Sequence, residues 1–137
     1  MIILDTNVVS EVSKIKGVDE NVQFWFVTQR AIGITAVTLG EIRYGIDRLP
    51  DGRRKRELLL QLERFVRQDL NGNIISFDGI AANHFGLIAA KRESLGRPID
   101  IADCQIASIC YANQLTLATR NIKDFEGIGI DLVNPLR

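Results

Sequence analysis

The chain opens on a short unbroken apolar run, Ile2-Ile3-Leu4, followed at once by the polar triplet Asp5-Thr6-Asn7. A continuous apolar run of that length suits a strand buried on both faces. The triplet supplies the side-chain acceptors that start a helix, which is expected over Val8 to Ile15. The same alternation recurs along the chain. Ile32 to Thr35 predicts a second strand, and a helix from about Thr38 carries Leu39, Ile42 and Ile46 at spacings of three and four. Strands are also expected at Ile74 to Phe77, Thr116 to Thr119 and Asp131 to Val133. Further helices are expected over Glu20 to Arg30, with Phe24, Trp25 and Val27 turned inward, and over Arg53 to about Leu70, with Leu58, Leu62, Phe65 and Val66 as its apolar stripe. Two more are expected near Ile80 to Ser94 and Ile101 to Gln114. Pro50-Asp51-Gly52, Asn71-Gly72-Asn73 and Gly96-Arg97-Pro98 punctuate them as turns.

Short apolar strands alternating with helices predict an α/β sandwich of three layers, a central, mostly parallel β-sheet flanked by α-helices. With 137 residues and no repeat, linker or low-complexity tract, the expectation is one domain spanning 1–137. Hydrophobic residues make up 46% and charged residues 25%, enough for a core that needs no metal or disulfide staple. Cys104 and Cys110 lie six apart on one predicted helix and so point about 120° apart, a geometry that favours reduced core thiols over a bridge. Without a signal peptide or an apolar run long enough to span a bilayer, the expected location is the cytoplasm, with no membrane partner.

The formal net charge is zero, so binding to a polyanion would have to rest on a local patch. Chemistry is concentrated in acids beside the strand ends. In an open parallel sheet, ligands occupy the crevice beyond the carboxyl ends of the strands. Asp5 follows the first strand. Glu41 is expected on the first turn of the helix after the second, Asp103 on the first turn of the helix before the fourth, and Asp124 shortly after Thr119-Arg120-Asn121. Carboxylates gathered closely repel one another and stay ionised only with a compensating cation, and hard Mg²⁺ or Mn²⁺ ions suit such oxygens. One histidine, His84, and no CxxC leave no zinc ligand set. Each acid also has a purely structural reading: a helix cap for Asp5, dipole complements for Glu41 and Asp103, an Asx turn for Asp124. Asp100 reads as the N-cap of the helix that carries Asp103.

Four blocks carry a resemblance across the whole chain: Ile2-Ile-Leu-Asp-Thr-Asn7, Thr38-Leu-Gly-Glu-Ile-Arg-Tyr-Gly45, Gly96-Arg-Pro-Ile-Asp-Ile-Ala-Asp-Cys-Gln-Ile-Ala107 and Thr119-Arg-Asn-Ile-Lys-Asp-Phe125. In this order they resemble the PIN-domain toxins of the VapC type, in particular the branch that includes FitB and the plasmid-stability proteins. The resemblance implies a PIN-like fold and a Mg²⁺- or Mn²⁺-dependent endoribonuclease that cleaves RNA with a metal-activated water. It also implies inhibition by a small antitoxin of the VapB type, a homodimer, and contact with operator DNA only through the antitoxin. The family's acids fall on Asp5, Glu41 and Asp103, and the fourth on Asp124, with Asn121 as a weaker or outer ligand. Asp5, Glu41 and Asp103 would hold the principal ion and Asp124 support it or a second one. Thr6 and Asn7 are placed to orient Asp5, and Thr119 matches a hydroxyl residue found near such metals.

Arg53-Arg54-Lys55-Arg56 reads first as the solvated start of its helix and second as an RNA-backbone contact. Arg43, Arg97 and Arg120 lie nearer the acids, where a substrate or an acidic antitoxin tail would meet them. His84 is expected to pack on a helix face, and Trp25 and Phe26 to serve the core or a subunit interface. The alternative function is a non-catalytic partner that acts with its antitoxin as a DNA-binding autorepressor. Phosphotransfer folds also set an aspartate after a strand, but one kind expects a second Asp where Asn7 stands and the other a late Lys where Thr119-Arg120 stands.

Overall fold

The computed structural model describes residues 1–13 and 17–136. Its strands are β1 (Ile2–Leu4), β2 (Ile32–Thr35), β3 (Ile74–Ile75), β4 (Thr116–Ala118) and β5 (Leu132–Val133), and its helices are α1 (Thr6–Val12), α2 (Glu20–Thr28), α3 (Ala36–Asp47), α4 (Arg53–Arg64), α5 (Gly79–Ser94), α6 (Ile101–Asn113) and α7 (Ile122–Phe125). The strands lie in the order β3-β2-β1-β4-β5, and every neighbouring pair is parallel. The sheet is therefore wholly parallel among the described residues.

Successive strand residues point to opposite faces, so each face acquires its own core. Ile3 and Leu117 look towards Ile88 of α5, Cys104, Ile106, Ala107 and Cys110 of α6, and Phe125 of α7. Leu4 and Ala118 look towards Val8 and Val9 of α1, with Phe65 and Leu70. This is the three-layer arrangement expected from the sequence. Gly33 in β2 has no room for a side chain, because a Cβ there would stand 2.9 Å from the Asn73 carbonyl oxygen and 3.0 Å from Met1 Sδ.

Several expected boundaries move. The expected end of α1 at Ile15 lies outside the described residues. β3 stops at Ile75 rather than Phe77, because its only partner, β2, ends at Thr35, opposite Ile75. α3 begins at Ala36, capped by Thr35 Oγ1, which accepts from the Thr38 N–H at 3.0 Å. Glu41 consequently sits in the second turn of α3 and not the first. α4 runs on into a π-helical turn, Phe65–Asp69, where the Leu70 N–H reaches back to the Phe65 carbonyl at 3.0 Å. That extra residue lets both Phe65 and Leu70 point into the core.

On α2 the expected inward set is wrong at two of three positions. Phe24 is 72% and Val27 68% exposed, and the buried side is Val22, with Trp25 and Phe26 packed partly against the core. Apolar residues occupy nearly every position from Val22 to Val27, so amphipathic spacing singles out no face, and the contact of Phe26 with Phe65 (ring centroids 6.2 Å apart) sets it. Cys104 and Cys110 are buried free thiols. Burial, with a smaller push from the Asp5 carboxylate, raises Cys110 to about 12, so it is an unreactive core residue.

Candidate functional site

The strand order turns back between β1 and β4, and at such a switch point the connections leave to opposite faces and open a crevice at the carboxyl ends. Asp5, the first residue beyond β1, stands at that point. Its backbone N–H donates to the Ala118 carbonyl at the end of β4, at 2.9 Å. The carboxylate is 5% exposed: Oδ1 accepts from the Thr6 N–H at 2.9 Å, and Oδ2 accepts from Thr119 Oγ1 at 2.8 Å and Asn7 Nδ2 at 3.3 Å. Capping and site membership are thus compatible, since one oxygen faces the helix start and the other faces β4.

Thr119, fully buried, also accepts from the Asn121 N–H at 3.0 Å, and Asn7 Oδ1 accepts from the Arg120 N–H at 3.2 Å. The loops that follow β1 and β4 are therefore tied to each other around Asp5. Thr119→Val keeps the shape and deletes the hydroxyl, leaving a buried carboxylate oxygen and a backbone N–H with one partner fewer. The expected loss is about 1 to 2 kcal/mol of stability, measured by denaturant unfolding, with Thr119→Ser close to the parent.

Glu41 is exposed, and its Oε1 accepts from Thr6 Oγ1 at 3.2 Å. The Thr6 hydroxyl lies 3.5 Å from that of Thr38, which is fully buried and accepts from Thr35 Oγ1 at 3.3 Å. These hydroxyls couple the start of α1 to the helix that carries Glu41. Sequence reading missed Thr35 and Thr38, although the Thr-x-x-Thr spacing before a helix was a visible capping signal.

Asp103, in the first turn of α6, is half-buried and raised from 3.8 to about 6. Burial is the largest cause, followed by the charges of Asp5, Asp100, Asp124 and Glu41. Asp124 lies exposed on α7, whose end is held through its backbone. Arg92 Nη1 donates to the carbonyls of Asp124 at 3.0 Å and Glu126 at 3.5 Å, and Arg92 Nε donates to the carbonyl of Arg97 at 2.8 Å. Arg97 Nη2 in turn donates to the Lys123 carbonyl at 3.2 Å. Arg92 was not singled out from the sequence, because its acceptors are main-chain oxygens and leave no trace in residue identity.

Asp100 is the N-cap residue expected from the sequence. Its exposed side chain makes no capping hydrogen bond and instead adds negative charge beside Asp103. Arg43 is engaged by Asp47 four residues on, at 3.0 Å, on the exposed side of α3. Arg53 and Lys55 pair with Glu57 and Asp51, as befits a solvated helix start. His84 packs on Tyr111, ring centroids 4.7 Å apart.

The charges of Asp5, Asp124 and Glu41 thus each act on Asp103. Among the described residues, however, no three His, Cys, Asp or Glu side chains are arranged to hold an ion as they stand. The donor set is nevertheless right for a hard divalent cation: it consists of carboxylates only, and every neighbour that acts on the charge of Asp103 is itself acidic. Glu41 and Asp124 are exposed side chains at the mouth of the crevice.

Comparison with known proteins agrees with this architecture. The family model of the PIN domain matches residues 2–130. The VapC ribonuclease Y4jK of Sinorhizobium fredii is 34% identical over 137 residues, covering 98% of this chain and 97% of its own. The crystal structure of FitAcB from Neisseria gonorrhoeae superposes with a TM-score of 0.89 at 31% identity, covering 98% of each chain. The structure of FitAB bound to an IR36 DNA fragment does so with 0.90 at 29% identity, covering 100% of this chain and 96% of that one.

Proposed function

The chain belongs to the PIN domain family, and from that membership we propose that it is a divalent-metal-dependent endoribonuclease, the toxin of a toxin–antitoxin pair. The observation that carries this reading is that Asp5, Asp124 and Glu41, distant in the chain, all act by their charge on the half-buried Asp103, with Asp5 fixed just beyond β1 at the switch point of the sheet. Asp5, Glu41 and Asp103 would hold the principal Mg²⁺ or Mn²⁺, with Asp124 in support and Asn121 as a weaker or outer ligand. Such an ion, when bound, supplies Lewis acidity towards the scissile phosphate and acidifies adjacent water.

The chain's own part is positioning. Thr119, Asn7 and the Thr6 N–H fix both oxygens of Asp5, so the first acid does not turn away when the rim is empty. The Thr6 hydroxyl holds Glu41 near it. A protein partner follows from the relatives: a small antitoxin is the inhibitor and carries the contact with operator DNA, and the toxin is a homodimer. Ile80, Leu87 and Ile101, all exposed, supply apolar surface for such contacts.

The test is cleavage of RNA by the purified single chain. It should appear with Mg²⁺ or Mn²⁺ and vanish on addition of EDTA. A chain that binds its antitoxin and operator DNA through it, yet cuts no RNA with either ion, is a non-catalytic autorepressor partner instead.

A further inference from the structure

Beside the acids, on the β4–α7 side, lies a cleft of about 320 Å³ lined by Arg120, Asn121, Ile122, Lys123, Asp124 and Asn134. Its residues come from the loop after β4, from α7 and from the segment after β5, so it continues the crevice at the carboxyl rim. Three features suit it to an anionic ligand. The first is charge. Arg43, Arg53, Lys55 and Arg67 are each engaged by an acid four residues away, whereas Arg120 and Lys123 have no carboxylate partner among the described residues. In a chain of zero net charge, unpaired cations of this kind are what is available to a polyanion.

The second feature is rigidity. The loop bearing Arg120 and Asn121 is tied by its own backbone to Asn7 Oδ1 and Thr119 Oγ1, the groups that also surround Asp5. Any group bound there is therefore held in register with the first acid. The third is the donor pattern. Asn134 Oδ1 accepts from the Leu136 N–H at 3.0 Å, which leaves its NH₂ as a donor, and the Asn121 side chain has no hydrogen bond among the described residues, which leaves both its NH₂ and its carbonyl oxygen available.

We propose that this cleft is the subsite for a nucleotide next to the scissile phosphate, with Arg120 and Lys123 on its phosphates and the amides of Asn121 and Asn134 at its base. The reading rests on the ribonuclease function proposed above. In single-stranded RNA the Watson–Crick edge is open to side chains.

The test uses binding, so that it stands apart from cleavage. In a cleavage-dead Asp103→Asn background, affinity for short single-stranded RNA is measured over a salt series. Arg120→Ala with Lys123→Ala should flatten the slope of log K against log salt by about 1.4, two contacts at about 0.7 each. Arg54→Ala with Arg56→Ala, on α4, should leave the slope unchanged. Asn134→Ala should weaken binding roughly threefold or more and leave the slope unchanged, because a base contact neutralises no phosphate. An unaltered slope in the first pair, an equal effect from the α4 pair, or an unchanged affinity in Asn134→Ala would overturn the subsite. Failure of the parent to cut RNA, with this binding pattern intact, would count against the nuclease reading alone.

Discussion

Replacing Asp103 by asparagine is expected to abolish RNA cleavage and, in the absence of divalent ions, to make the protein more stable. Both effects have one origin. The Asp103 carboxyl is half-buried among Asp5, Asp100, Asp124 and Glu41, and burial and then their charges raise it to about 6. A carboxyl raised in the folded state is less costly protonated. Below about pH 4 it is protonated in both states and imposes no penalty. As pH rises towards about 6, the unfolded chain releases its proton first, stability is lost, and above 6 the loss is complete.

Asparagine carries no such penalty. The gap between Asp103→Asn and the parent should therefore open between about pH 4 and pH 6 and stay level above that. Discounted for partial solvent screening, it should reach about 1 to 2 kcal/mol, a rise of several degrees in Tm. Cleavage at neutral pH should fall by roughly 10³-fold or more, as expected when a ligand to the charge-stabilising ion is lost. Mn²⁺ should raise the Tm of the parent much more than that of the variant. Thermal unfolding across pH, with and without Mn²⁺, beside an RNA cleavage assay, checks every part. A variant that melts below the parent at pH 7.5 without metal would refute the electrostatic account of this site.

Arg92→Ala is expected to cost about 2 to 4 kcal/mol. The side chain is 6% exposed, and its guanidinium is solvated by three main-chain carbonyls, those of Arg97, Asp124 and Glu126, rather than by an acid. Truncation opens a cavity between α5 and α7 and strips partners from carbonyls in two segments at once. Arg92→Lys should recover only part of the loss, because a single ammonium has no planar fork to reach acceptors on different segments. Cleavage should also fall in Arg92→Ala by more than the folded fraction predicts, since the segment that carries Asp124 loses its anchor. Denaturant unfolding measures the first effect, and specific activity corrected for folded protein the second. A loss below about 0.5 kcal/mol would mean that the carbonyls are satisfied equally well by water.

The acids were legible because each sits beside a strong local signal. Asp5 closes an apolar run, Asp103 stands just inside a helix, and Asp124 follows the end of β4 after a short loop. Glu41 was placed on the right helix but one turn too early, because Thr35 caps α3 with a threonine that the strand pattern had claimed for β2. Phe24 and Val27 were placed in the core because a run that is apolar on all sides carries no angular information, and only the position of Phe65 decides which stripe of α2 is covered. Asp100 was placed as the N-cap of α6 from its position, and there it stands, whereas the absence of a capping hydrogen bond from its side chain is a matter of geometry that position does not give.

By itself, the sequence determined which segments become strand or helix and which acids lie at their ends. Side-chain alternation, capping and turn chemistry act over a few residues and are written in the order of the chain. The tertiary structure alone decided that β1 and β4 are neighbours, that Thr119 reaches Asp5 across 114 positions, and that Arg92 holds the carbonyls around Asp124. Those contacts depend on how the closed chain packs both faces of one sheet, and main-chain acceptors look alike at every position, so no local pattern encodes them.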